Sequence, residues 1–180
     1  MIYIIASIFA VLVVIIDQLT KAYVAANVPL ASLASDTTPI IEGVLDLTHV
    51  HNNGGAWGLL GGYTWVLLSL TLLIMIVCIA MLIKNGFKSK LLFCSVCLIL
   101  AGGLGNMIDR IFRGGVVVDF LQFHFWPTFP IFNIADIAVC VGAGLLLLYF
   151  IIDIYKEHKS RKMRFFEANE IIKETAEEEK

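Results

Sequence analysis

Four stretches of this chain, Met1–Ile16, Thr64–Ile83, Leu91–Ile108 and Ile137–Ile152, contain no Asp, Glu, Lys or Arg. Each is long enough, alone or with modest flanks, to cross a hydrocarbon core roughly 30 Å thick. Backbone polar groups in hydrocarbon must be satisfied internally, so such stretches are read as helices. An apolar share of 59% and a mean hydropathy of +0.86 exclude an ordinary soluble fold. The fold class expected is a mainly α membrane protein: one domain of 180 residues with four spans, at about 2–25, 64–83, 91–110 and 135–154.

Charge gives the topology. Lys84, Lys88 and Lys90 fill the loop between the second and third spans, and Lys156, Lys159, Arg161, Lys162 and Arg164 follow the fourth. The positive-inside rule assigns both clusters, and with them both termini, to the cytoplasm. Segments 26–63 and 111–134 then face outward, and 156–180 forms a charged cytoplasmic tail, either an amphipathic helix or disordered. A cleaved signal peptide fits the first span poorly, because it lacks a basic n-region and Asp17 and Lys21 follow it directly. The four cysteines lie inside apolar segments as small buried hydrophobes, and Cys94-x-x-Cys97 lacks a second ligand pair. No metal, cofactor or nucleic-acid partner is expected.

The outward segments carry strand signals. Val44–His51 alternates, with Leu45, Leu47 and His49 opposing Asp46, Thr48 and Val50, and Val116–Phe125 is rich in β-branched and aromatic residues. A small sheet on the outer membrane surface is expected. Residues 52–62, NNGGAWGLLGG, have the composition of a loop that lets backbone approach a ligand. Trp57, Tyr63, Trp65 and Trp126 fit an aromatic belt at the headgroup boundary. Gly102, Gly103, Gly105, Gly142 and Gly144 suit close helix packing.

Against this apolar background stand Asp17, Lys21, Asn106, Asp109, Arg110, Asp119, Asn133 and Asp136. Ionisable groups at membrane depth are costly and usually functional. At 1.5 Å of rise per residue, Asp17 lies about 24 Å from Met1, and Asp109 about 27 Å from Leu91. Asn133 and Asp136 open the fourth span, so all these groups share one depth at the outer face. Asp17 and Lys21 are spaced for an i, i+4 pair. Asp109 and Arg110 point about 100° apart, so their partners belong to other elements, and Arg110 is expected to tie its helix end to the sheet. Asn133 as N-cap and Asp136 as a first-turn acid are the bland alternative. Two Asn-x-x-Asp pairs at one depth ask for more than capping. If Asp119 and Asp136 meet, mutual repulsion and desolvation would make them share a proton near neutrality, the condition for acid/base hydrolysis with water as nucleophile. The helix dipole favours Asp136 as the ionised member. A proton-coupled transporter or channel subunit is the alternative from another class, and it requires acids at several depths. A structural scaffold that could lose its acids without consequence is a third.

Five stretches, in order, carry a resemblance: DQLTK at 17–21, NNGGAWG at 52–58, GNMIDR at 105–110, VVDF at 117–120 and FNIAD at 132–136. Over roughly residues 10 to 152 the chain resembles the bacterial lipoprotein signal peptidases, or signal peptidase II. The resemblance implies a multi-pass aspartic endopeptidase of the inner membrane. Its substrate is a prolipoprotein bearing a diacylglyceryl group on the cysteine after the cleavage site, and its inhibitor is globomycin. It implies Asp119 and Asp136 as the catalytic dyad, with Asn106, Asp109, Arg110 and Asn133 in support. Asp17, Lys21, Asn52 and Gly54 would shape the site and contact substrate or inhibitor. Membrane lipid is the surrounding partner, and a monomer is expected. The chain departs from the common family pattern at His51, Trp57 and a link from Arg110 to Asp119 one residue longer, which bear on loop conformation and inhibitor contacts.

Overall fold

The computed structural model describes residues 1–33, 36–55, 60–85 and 89–178, with side chains as far as Phe165. Trp57 and Lys88 lie outside the described residues. The elements are α1 (Ile2–Asn27), β1 (Thr38–Ile41), β2 (Leu45–Asn52), α2 (Thr64–Asn85), α3 (Lys90–Phe112), β3 (Val117–Phe123) and α4 (Ile134–Glu178). All four helices are long and apolar enough to cross a membrane. The first three helices have bounds within two residues of the expected spans, and α4 carries the helix on through the tail. Its helix runs on to Glu178, because nothing after Ile152 breaks it: there is no glycine or proline beyond Gly144.

Helix α3 is the centre of the bundle, and its glycines show why. A Cβ at Gly102 would lie 2.2 Å from the Ala135 carbonyl oxygen of α4. At Gly103 it would meet Met75 and Thr71 of α2, and at Gly105 it would come 2.7 Å from the Asp17 carboxylate of α1. Three glycines thus seat three neighbours. Without a hydrophobic drive between helices in lipid, such close backbone contact supplies the packing. Gly142 of α4 likewise fits against Ile99 and Ser95, whereas Gly144 faces open space and takes no part. The outward faces are apolar and exposed, as at Ile5, Leu12, Leu73 and Leu147.

The sheet is antiparallel in the order β1-β2-β3. β1 was not foreseen; it joins β2 through a turn at Gly43, with φ of 73°. On β2 the expected alternation breaks. Thr48 and His49 are consecutive and both buried, and the register with β3 shifts between Leu47 and Val50, so a bulge turns the strand there. Asp46 and Thr48 are covered: Thr37 Oγ1 donates to Asp46 at 3.2 Å, His124 Nδ1 sits 3.0 Å from it, and Thr48 Oγ1 donates to the Asp36 carbonyl. Val118 and Phe120 of β3 pack on Val24 at the outer end of α1, with Leu47 against that cluster.

Two connections aim the site. After α3, Gly114 takes a φ of 67° and the Gly115 N–H bonds the Arg110 carbonyl at 3.0 Å, a Schellman ending that turns the chain straight into β3. Before α4, Phe132 pairs with β3: its carbonyl accepts the Leu121 N–H at 2.8 Å and its N–H donates back at 3.0 Å. Asn133 is therefore delivered beside Asp119. Tyr63, Trp65 and Trp126 are exposed, as an interfacial belt requires.

Candidate active site

At the base of the site Lys21, Asp17 and Asp109 are all fully buried. Lys21 Nζ lies 2.9 Å from Asp17 Oδ2 and 3.3 Å from Asp109 Oδ2. Asp17 Oδ1 accepts the Ala135 N–H at 2.9 Å, placing a carboxylate on the amino end of α4. Asp109 Oδ2 accepts the Val118 N–H at 3.1 Å, and its Oδ1 pairs with Arg113 at 3.2 Å. The tie between α3 and the sheet is therefore Asp109, not Arg110 as expected. The carboxylate suits this task because β3 offers it a backbone donor, which a guanidinium could not accept.

Lys21 also donates to Asn106 Oδ1 at 2.9 Å. An ammonium can only donate, so the Asn106 amide is fixed with its oxygen toward Lys21 and its Nδ2 toward Asp136, whose Oδ1 accepts at 2.7 Å. Asn133 Nδ2 donates to the same Asn106 oxygen at 3.1 Å and to Asp119 Oδ1 at 2.6 Å. Asn133 Oδ1 meanwhile accepts the Asp136 N–H at 2.9 Å, and Asp136 Oδ2 accepts the Asn133 N–H at 3.1 Å, a reciprocal cap on α4. The capping reading and the site reading thus describe the same two residues. The cap fixes both side chains, and Asn133's remaining amide group reaches the other aspartate.

Asp119 enters from β3, and its Oδ2 accepts from Asn52 Nδ2 at 2.8 Å. Asn52 is held in turn by the Gly54 N–H, 2.9 Å from its Oδ1. Gly54 therefore acts on the site through Asn52. Burial first, then the Asp136 charge, push the Asp119 carboxyl up to about 7, while Asn52, Asn133 and Lys21 pull the other way.

Asp119 and Asp136 line one cavity of about 440 Å³. Asn52, Asn106 and Arg110 share its polar side, and Phe123, Phe132, Ile137 and Cys140 form an apolar wall. Arg110 is buried, with Nη1 3.4 Å from the Asn106 carbonyl and Nε without a hydrogen-bond partner. Two amide-bridged carboxyls beside an underused guanidinium, open to an apolar wall, can activate water and stabilise an oxyanion.

The family model described as signal peptidase (SPase) II matches residues 9–152. Lipoprotein signal peptidases of Bacillus pumilus and Halalkalibacterium halodurans are 40% and 38% identical to the chain over 85% and 86% of its length, and over 96% and 95% of their own. The chain belongs to the signal peptidase II family. Two solved bacterial membrane enzymes, determined by the in meso method at 2.3 and 1.9 Å, superpose with TM-scores of 0.74 and 0.69. Both are 34% identical; they cover 83% and 82% of this chain, and 88% and 91% of their own. Family membership makes the chain an aspartic endopeptidase and a multi-pass protein of the bacterial inner membrane. The transporter alternative is not favoured.

All ten residues singled out in the signal peptidase sequence converge here: eight in one hydrogen-bonded network, Arg110 on the cavity wall and Gly54 behind Asn52. Two residues outside that set also contribute. Gln18 donates to Asp109 Oδ1 and to the Gly105 carbonyl, both at 3.1 Å, stapling α1 to α3. Arg113 completes the charge around Asp109. Gln18 sits between the two charged residues of DQLTK, but one residue gives no periodic signal. Arg113 is one turn after Asp109, a spacing that could have revealed it.

Proposed function

We propose that this chain removes signal peptides from diacylglyceryl-modified prolipoproteins, cleaving before the lipidated cysteine with Asp119 and Asp136 as the catalytic pair. The observation that carries this reading is the bridge Asp119–Asn133–Asn106–Asp136, which holds two carboxyls over one cavity. One carboxylate takes a proton from water, whose oxygen attacks the scissile carbonyl. The partner carboxyl gives its proton toward the developing oxyanion, with Arg110 as electrostatic support. The tetrahedral species collapses by expelling the cysteine's amine, which takes up a proton, and no covalent acyl-enzyme forms.

Asn106, Asp109 and Asn133 position the pair, and Asp17 and Lys21 supply the charge that orients Asn106. Asn52 and Gly54 present the outer loop to substrate or to a globomycin-type inhibitor. The cavity faces outward, both termini and the tail from 156 onward lie in the cytoplasm, and the enzyme works as a monomer. The cationic loops at Lys84 and Lys90 and after Lys156 support this orientation. The substrate helix enters laterally, its acyl chains remaining in lipid.

Incubation of the purified protein with a diacylglyceryl prolipoprotein, with and without globomycin, tests the reading. Globomycin-sensitive cleavage before the lipidated cysteine is expected. Equal cleavage of unlipidated precursor, or none of either, would refute it.

A further inference from the structure

A second cavity, of about 410 Å³, lies at the opposite end of the bundle. Asn85 at the end of α2, Ser89 and Leu91 at the start of α3, and Tyr149, Ile152, Asp153 and Lys156 of α4 form its walls. Its depth follows from two helices independently. Lys156 is about 30 Å along α4 from Asp136, and Leu91 is about 27 Å along α3 from Asp109. The catalytic cavity and this one thus sit at the two boundaries of a hydrocarbon core roughly 30 Å thick.

The walls are amphiphilic. Leu91 and Ile152 are apolar, while Tyr149 Oη donates to Asn85 Oδ1 at 3.4 Å and Asn85 Nδ2 donates to the Met81 carbonyl at 2.8 Å. Lys156 and Asp153 lie one turn apart, yet neither is in any ion pair among the described residues. Lys84 and Lys90 are the sequence neighbours of the lining residues Asn85 and Leu91.

We propose that this cavity binds the headgroup of a phospholipid from the leaflet opposite the catalytic site, of the phosphatidylglycerol type. Basic pockets between membrane helices at headgroup level take anionic phospholipids. The phosphate sits on Lys156, the headgroup hydroxyls donate to Asp153, and the acyl chains run along Leu91 and Ile152. A free anion would meet Asp153 with nothing to offer it, and a free cation would meet Lys156. A phosphate that also carries hydroxyl donors suits both. This assignment does not depend on the peptidase reading, since none of its residues touches the catalytic network.

Native mass spectrometry of the full chain in detergent tests it, with dioleoyl phosphatidylglycerol, diacylglycerol, phosphatidylcholine and inorganic phosphate as probes. The chain should retain one phosphatidylglycerol in preference to diacylglycerol. Lys156→Gln should weaken retention about tenfold, the scale of one charge-assisted contact. Asp153→Leu should weaken phosphatidylglycerol retention by a similar factor, because the headgroup hydroxyls lose their acceptor. Both side chains are exposed and outside any ion pair among the described residues, so both variants should fold, as their unfolding temperatures will report. Equal retention by wild type and Lys156→Gln would overturn the assignment, as would diacylglycerol binding equally well. Displacement of the lipid by equimolar inorganic phosphate would show a free-anion site instead.

Discussion

Replacing Lys21 by Met tests whether the buried charges beneath the site act as one unit. The ammonium is fully buried, 2.9 Å from one carboxylate and 3.3 Å from another. At an effective dielectric near 20, each contact is worth about 5 to 6 kcal/mol before desolvation is charged against it. Removal leaves Asp17 and Asp109 in a dry site with Arg113 still paired to Asp109, and breaking a buried pair typically costs about 3 to 5 kcal/mol. Asn106 also loses one of the two donors that fix its amide oxygen, leaving Asn133 alone to hold it toward Asp136. Turnover of lipidated precursor should fall roughly 10- to 100-fold, the usual effect of losing a supporting hydrogen bond. The assay is reversible denaturant unfolding in detergent, paired with precursor cleavage, on Lys21→Met, Asp17→Asn and the double variant. If the charges form one unit, the double variant recovers at least about 1 kcal/mol relative to the sum of the singles. A Lys21→Met loss below about 1 kcal/mol, or additivity within about 0.5 kcal/mol, would refute the reasoning.

Gly102→Ala forces a Cβ to 2.2 Å from the Ala135 carbonyl and should destabilise the protein by several kcal/mol, about 3 or more, whereas Gly144→Ala fills open space and should be neutral; thermal unfolding of the two separates them. Asn133→Ser keeps a capping oxygen for the Asp136 N–H but loses the donor to Asp119, so kcat should fall about 10-fold or more with KM little changed in a steady-state cleavage assay. Because the Asp119 carboxyl is raised from 3.8 to about 7, the folded state holds its proton more tightly than the unfolded chain. That stability is fully present below about pH 4 and is lost as pH rises through about 7, so wild-type stability should decline across this window and Asp119→Asn should decline less. Cleavage should fall above about pH 7 as the shared proton leaves, an alkaline limb that a pH–rate profile will show.

The four spans were legible because hydrocarbon leaves few choices: a charge-free run of such length can only be a helix, and its polar residues can only gather at its ends. That is why the acids and amides were placed at one depth by arithmetic on helical rise. Connectivity between elements was less legible. Asp109 and Arg110 are neighbours, and nothing in their order says that the acid would take the Val118 N–H while the guanidinium stays on the cavity wall. The bulge at Thr48 and His49 breaks the alternation of β2, because alternation holds only while the register is unbroken. Asn133 was read as a choice between cap and site. Three dimensions removed the choice, since a side-chain amide has an oxygen for one helix and a nitrogen for the other aspartate.

If Asp119 and Asp136 act as one catalytic unit, single-turnover cleavage of a diacylglyceryl prolipoprotein will show it. Asp119→Asn, Asp136→Asn and the double variant should each be slower than wild type by at least about 1,000-fold, with the double no worse than either single, because neither carboxyl works without the other. Substantial cleavage by either single variant, or losses that multiply in the double, would contradict the account.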